Sequence, residues 1–216
     1  MTRDKKISDM VIKRLPRYYR FLSGLEKKRT ERISSGVLAN KMGLTASQIR
    51  QDLNCFGGFG QQGYGYHVSE LKNEIGKILG IGQNTKAVLI GAGNLGTAVA
   101  MHIAFEQRGF QLIGIFDNDR QKLGRQINGI PISDTDALDA FCKNRNPEVA
   151  ILCVPYKEAQ KLTEQLVECG VKAFWNFSHY DIGVEHADIV VENVHIGDSL
   201  MSLGYKMKDL KEEEKD

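Results

Sequence analysis

"KAVLIGAGNLGTAVAMHIAF", residues 86–105, decides the fold of the larger part of this 216-residue chain. An apolar strand pattern, "KAVLI", runs into a glycine turn, and the turn opens a helical pattern, "NLGTAVAMHIAF". Gly91, Gly93 and Gly96 stand there at G-x-G-x-x-G spacing. The three glycines serve different ends. Gly91 permits the tight turn, Gly93 lets backbone approach a pyrophosphate, and Gly96 lets the helix pack closely on the strand. The phosphates then lie at the helix N-terminus, where free N–H groups favour anions. Asp117 closes the next strand pattern, "QLIGIFD", 21 residues after Gly96. A carboxylate at that place accepts hydrogen bonds from the adenosine ribose and repels a 2′-phosphate, so the motif favours NAD(H) over NADP(H). Arg120 and Lys122 stand close enough to soften that exclusion.

Further along, the β-rich runs 87–91, 112–117, 149–154, 173–177 and 188–194 alternate with helical patterns over 94–107 and 156–169, the second opened by Pro155 and closed by Gly170. Alternation of this kind builds a parallel sheet covered by helices, a Rossmann-like doubly wound α/β domain over residues 85–194. In "HIGDSLMSLGYKMKDLKEEEKD" the spacing of Leu200, Leu203, Met207 and Leu210 predicts an amphipathic helix with a charged tail over 195–216.

Residues 1–80 differ in charge. They hold 15 Lys+Arg against 7 Asp+Glu, whereas 81–216 hold 14 against 20. A basic unit joined to an acidic one suggests that the first meets a polyanion. The polar "GIGQNT", 80–85, marks the boundary.

Within the basic unit, a helix over 8–27 is expected to start at Ser8 and to bury Ile12, Leu15, Tyr19 and Leu22, with Pro16 bending or dividing it. A second helix starts at Ser34 or Ser35 and stops at Gly43; a third follows in "TASQIRQDLNCF", where Thr45 and Gln48 have capping-box spacing. Ala46, Ile49 and Leu53 share its inner face; Ser47, Arg50, Gln51 and Asn54 share the outer one, with the chemistry to meet bases and phosphates. The glycine- and aromatic-rich "FGGFGQQGYGYHV" then reads as a β-hairpin with "QQG" at its tip. Helix, turn, helix and hairpin on a basic unit make a winged helix-turn-helix DNA-binding domain.

The composition narrows the function classes. No apolar run is long enough to span a bilayer, and "MTRDKKISDM" lacks the apolar stretch of a secretory signal, so a cytoplasmic protein without membrane contact is expected. Cys55, Cys142, Cys153 and Cys169 are widely separated, and the five histidines show no ligand spacing, so no metal is expected. No tyrosine is followed four residues later by lysine, and 120 residues after Gly96 leave no room for a separate substrate domain. Dinucleotide binding without catalysis, joined to DNA binding, suggests a sensor. Two other readings stay open: a small NAD-dependent oxidoreductase with a basic appendage, and a thiol sensor using Cys55 or Cys153.

The motifs "RLPRYYRFL" (14–22), "SQIRQDL" (47–53), "FGGFGQQGYGY" (56–66), "GAGNLGTA" (91–98), "FDND" (116–119), "VPYKEAQ" (154–160), "NFS" (176–178) and "VENVHIGDSL" (191–200) together resemble the Rex redox-sensing repressors over almost the whole chain. The resemblance implies a homodimer on palindromic double-stranded operators, NAD(H) as regulatory ligand and release from DNA by NADH. It further implies that the C-terminal helix is domain-swapped between protomers, with Ile196 near the partner's nicotinamide pocket. Carried over by position, the ligand set is Gly91, Ala92, Gly93, Asn94, Leu95, Gly96, Asp117, Asn118, Val154, Pro155, Asn176 and Phe177. The DNA-facing set is Arg14, Arg17, Tyr18, Thr45, Ser47, Gln48, Arg50, Gln51, Asn54, Gln61 and Gln62. Gln51, Gln61 and Gln62 stand where many members carry cations, which weakens phosphate attraction there. His195 stands where some members have an Asp.

Overall fold

The computed structural model describes residues 7–57, 59 and 64–213, and its internal contacts divide the chain into two units, Met1–Gly82 and Gln83–Asp216. The first unit begins with α1, Asp9–Lys27, followed by β1, Arg32–Ile33. The buried stripe of α1 is Val11, Leu15, Tyr18 and Leu22, rotated from the expected one: Ile12 is exposed and Tyr19 is only half-buried. Pro16 does not divide the helix. It lies on the exposed side with Ile12, whose carbonyl it leaves without a donor, so water can satisfy that oxygen.

Helix α2, Ser35–Met42, is capped by the Ser34 side chain, which accepts from Val37 N–H, and it ends at Gly43 in the left-handed conformation. In α3, Ala46–Asn54, Thr45 Oγ1 accepts the Gln48 N–H at 3.1 Å. Only half of the expected capping box forms, because the Gln48 side chain turns to Asp52 instead. Strand β2, Tyr66–His67, pairs antiparallel with β1, the strand between α1 and α2. The tip of the expected hairpin, with Gln61 and Gln62, lies outside the described residues. Val68, Leu71 and Ile75 bury the inner face of α4, Val68–Ile78, a helix that the sequence pattern did not bring out.

The second unit is built on a seven-stranded sheet in the order β5-β6-β4-β3-β7-β8-β9. Its strands are β3 (Thr85–Ile90), β4 (Phe110–Asp117), β5 (Gln126–Ile127), β6 (Ile130–Asp134), β7 (Val149–Leu152), β8 (Ala173–Asn176) and β9 (Val190–Asn193). All neighbours are parallel except β5 with β6. Leaving aside β5, this is the doubly wound order, with its switch point between β3 and β7. Side chains alternate across the sheet: Val88 and Ile90 enter one core cluster, Ala87 and Leu89 the other.

Helices α5 (Asn94–His102), α6 (Leu138–Arg145), α7 (Tyr156–Glu168), α8 (Ile182–Glu185) and α9 (Ile196–Glu213) complete the unit. The helix expected to reach residue 107 ends at His102, where Ile103 turns extended. Along α9, Ile196, Leu200, Leu203, Met207 and Leu210 are all exposed, Leu200 by 69%. Among the described residues no helix is long and apolar enough to cross a membrane.

Candidate functional site

Two regions follow from this framework, one in each unit. In the second unit, β3 leads into Gly91 at φ 97°, and a Cβ there would lie 2.5 Å from the Cys153 carbonyl oxygen. At Gly96 an added Cβ would fall 1.8 Å from the Gly91 carbonyl oxygen, while at Gly93 it would meet nothing within 4 Å. Turn, close helix packing and an open approach therefore fall on the three glycines that the motif assigns to them. Gly96→Ala is expected to destabilise this unit by about 3 kcal/mol, because backbone rather than a flexible side chain must move. A thermal melt indistinguishable from the parent's would show that the helix can draw back from the strand at no cost.

The N-terminus of α5 has no side-chain cap and no acidic residue in its first turn, and its residues Gly93, Asn94 and Leu95 line the adjoining cleft. Asp117, at the end of β4, is buried beside it. Its Oδ2 accepts the Ala92 N–H at 2.7 Å and its Oδ1 accepts the Asp119 N–H at 2.8 Å. Lys122 Nζ sits 3.1 Å from Asp117 Oδ2, and that pairing raises the lysine's pKa above its ordinary value. The cleft has a volume of about 960 Å³ and lies at the carboxyl ends of the central strands. Gly91, Gly93, Asn94, Leu95, Asp117, Asn118, Val154 and Pro155 line it. Lys122, Lys157, Lys161 and Glu158 line it too, outside the set expected from sequence.

Four residues expected to hold ligand make contacts within the protein. Ala92 and Gly96 are buried and shape the turn from behind. Asn176 is fully buried: Nδ2 donates to Tyr180 O and Asn193 Oδ1, and Oδ1 accepts from Ser178 N–H and Oγ–H. Its amide is taken up in tying β8 to β9 and to the following loop. Phe177 packs edge-on against Trp175 with ring centroids 4.7 Å apart. Cys153 does line the cleft, and burial pushes its thiol up to about 12, which keeps it protonated and a poor redox sensor at neutral pH.

In the first unit, Ser47, Arg50, Gln51 and Asn54 form the outer face of α3. Arg50 Nη1 donates to Ser35 Oγ at 3.1 Å, which holds its guanidinium beside the start of α2. Arg17 is exposed and joins Arg20, Lys28 and Lys41 around a hollow floored by Phe21, Leu25 and Met42. Arg14 and Tyr18 leave the DNA-facing set. Both reach Asp52, which is 1% exposed on the inner side of α3: Arg14 Nε at 2.6 Å, Arg14 Nη2 at 2.8 Å and Tyr18 Oη at 2.7 Å. Gln48 Nε2 adds a fourth bond at 3.1 Å, so its amide also faces inward.

Burial alone would raise the Asp52 pKa, yet the bonds from Arg14, Tyr18 and Gln48 outweigh it and hold the carboxyl below its ordinary range. The stabilisation is present above an unfolded carboxylate pKa of ~3.9 and is lost as pH falls through the lower folded value. Asp52→Asn is expected to cost about 3 kcal/mol, since it leaves the Arg14 charge uncompensated. Equal urea midpoints at pH 7 for parent and variant would refute that.

Among the described residues no cluster of His, Cys, Asp and Glu has the makings of a metal site. Residues 6–54 match the family described as putative DNA-binding protein N-terminus, and residues 82–180 match the CoA binding domain family. The redox-sensing transcriptional repressor Rex of Clostridium perfringens is 51% identical over 205 residues, 95% of this chain and 96% of that protein. Rex of Thermoanaerobacter pseudethanolicus is 48% identical, over 97% of this chain and 93% of that one. The crystal structure of RSP in complex with NAD+ and operator DNA is similar at a TM-score of 0.88 and 46% identity, covering 97% of this chain and 96% of that chain. RSP in complex with NADH is similar at 0.88 and 43%, covering 98% and 99%. With full-length identity near one half and both units accounted for, the chain belongs to the Rex family of redox-sensing transcriptional repressors.

Proposed function

We propose that this chain represses transcription by reading the NADH/NAD+ ratio: as a homodimer it holds palindromic operator DNA through its winged-helix unit and lets go when the cleft takes up NADH. The observation that carries the reading is the 2.7 Å bond from Ala92 N–H to Asp117 Oδ2, which fixes the pyrophosphate turn beside the ribose acceptor in a chain that also presents a polar recognition helix. Gly91, Gly93, Asn94, Leu95, Asp117 and Asn118 hold the adenosine and phosphate parts, and Val154 and Pro155 the nicotinamide end. Arg17, Thr45, Ser47, Arg50, Gln51 and Asn54 face DNA, with Asp52, Arg14, Tyr18 and Gln48 bracing α3 from within. The relatives are repressors, so the dinucleotide fold serves regulation and not catalysis.

The nicotinamide end discriminates by charge. Val154, Pro155 and a protonated Cys153 offer no counter-ion, so the neutral reduced ring enters at lower desolvation cost than the cationic oxidised ring. The exposed apolar stripe of α9 supports an exchanged dimer arm, because a second copy would bury it. Two recognition helices must then meet major grooves about 34 Å apart, so a change in dimer geometry takes both out of register at once. We place the protein in the bacterial cytoplasm, where operator DNA and the dinucleotide pool meet.

Fluorescence anisotropy of a labelled palindromic operator, titrated with protein and then with NADH or NAD+ at one salt concentration, tests the reading. Release by NADH at concentrations where NAD+ leaves the complex intact is the expected result; DNA that stays bound through both titrations would overturn it.

A further inference from the structure

We infer that Lys122 decides how strongly the cleft excludes a phosphate on the adenosine ribose, and so sets the margin by which NADH is preferred to NADPH. The inference rests on the dinucleotide reading of the cleft and goes one step beyond it, to a residue outside the glycine motif and its acid.

A free carboxylate at the ribose position rejects a 2′-phosphate by charge repulsion and by offering only acceptors. Asp117 is not free. Lys122 Nζ lies 3.1 Å from its Oδ2 and 3.3 Å from its Oδ1, and also 3.5 Å from Asp119 Oδ2. Pairing with Asp117 raises the lysine's pKa, so the ammonium is charged throughout the neutral range. With the N–H groups of Ala92 and Asp119, three donors share two oxygens. The pair carries no net charge, and much of the repulsion that would turn a phosphate away is offset at its source.

Lys122 is also placed to do more than neutralise. Its side chain lines the cleft and is 30% exposed, against 7% for Asp117, so the ammonium can swing to a phosphate on the ribose while Asp117 keeps its backbone donors. Asp119, 43% exposed, is the counterweight, since it competes for the same ammonium. Other charged groups along the cleft are Asp136, Asp139, Glu158, Glu164, Glu168, Lys157 and Lys161. Among the described cations of the cleft, Lys122 is the one that bonds to Asp117, and it touches both oxygens.

The test is a set of dissociation constants for NADH and NADPH, measured by calorimetry on the full chain and on Lys122→Met, Lys122→Arg and Asp119→Asn. Lys122→Met is expected to weaken NADPH about tenfold while NADH changes less than about threefold, as for loss of one charge-assisted hydrogen bond. Lys122→Arg keeps the parent ratio, and Asp119→Asn shifts it severalfold toward NADPH. A merely structural lysine would move both ligands together, so the ratio is the readout. If Lys122→Met binds NADH but leaves the ratio at the parent value, the inference is overturned and the dinucleotide site stands. If the parent chain binds neither dinucleotide, the site reading falls and takes the inference with it.

Discussion

Arg50→Ala is expected to lower operator affinity about a hundredfold and to leave NADH binding unchanged. Arg50 stands on the exposed face of α3, and its bond to Ser35 Oγ pre-positions the guanidinium before DNA arrives. A bidentate arginine–guanine contact contributes about 1–3 kcal/mol of discrimination. A dimer loses two such contacts, and ~3 kcal/mol corresponds to roughly two decades in affinity. Anisotropy with the operator and calorimetry with NADH separate the two effects. Full operator affinity in the variant would take this face of α3 out of the interface. Loss of NADH binding would mean instead that the substitution had disturbed the whole chain.

The second expectation concerns reciprocity between the two units. Converting a nearly all-competent population into a nearly all-incompetent one demands about 5.5 kcal/mol of differential binding, some four decades in equilibrium constant. Two clefts per dimer share that demand, so each contributes a little under ~3 kcal/mol, or about a hundredfold. Thermodynamic linkage then requires that saturating operator weaken the two NADH sites together by the factor that NADH takes from operator affinity. Titrating NADH against free protein and against the protein–operator complex measures both sides of the cycle. Equal NADH affinity in the two titrations would show that the cleft does not control DNA binding.

The parts of this fold legible in the sequence are those dictated by backbone sterics. Gly91 and Gly96 sit where a single methyl group would strike a carbonyl, so their spacing alone locates the turn. The polar outer face of α3 is equally plain, because helical periodicity separates Ile49 and Leu53 from Arg50 and Asn54. The hairpin between β5 and β6 is harder to see. Asn128-Gly129, both at positive φ, makes its turn, but Pro131 and the shortness of the two strands obscure the alternation that would announce them.

What the sequence does not reveal are choices that depend on partners distant in the chain. Tyr18 and Tyr19 are chemically identical neighbours, and only the Asp52 carboxylate, 34 residues from Tyr18, determines which hydroxyl can be buried. The same carboxylate withdraws Arg14 and Gln48 from the set expected to face DNA. Asn176 suits a ligand contact by its type, yet its amide is saturated by Tyr180, Asn193 and Ser178. Lys122 is a near neighbour of Asp117 in sequence, but only the three-dimensional turn sets its ammonium against both carboxylate oxygens.

The bond between Ala92 N–H and Asp117 constrains how this binding site can be remodelled, by selection or by an engineer. Exchanging that aspartate for a small neutral residue is the obvious route to accepting a phosphorylated ribose. Here the exchange would also strip a buried amide of its acceptor and loosen the loop on which every dinucleotide depends. A retargeted descendant is therefore more accessible through the rim residues around the aspartate, which can change one at a time while the clamp stays closed.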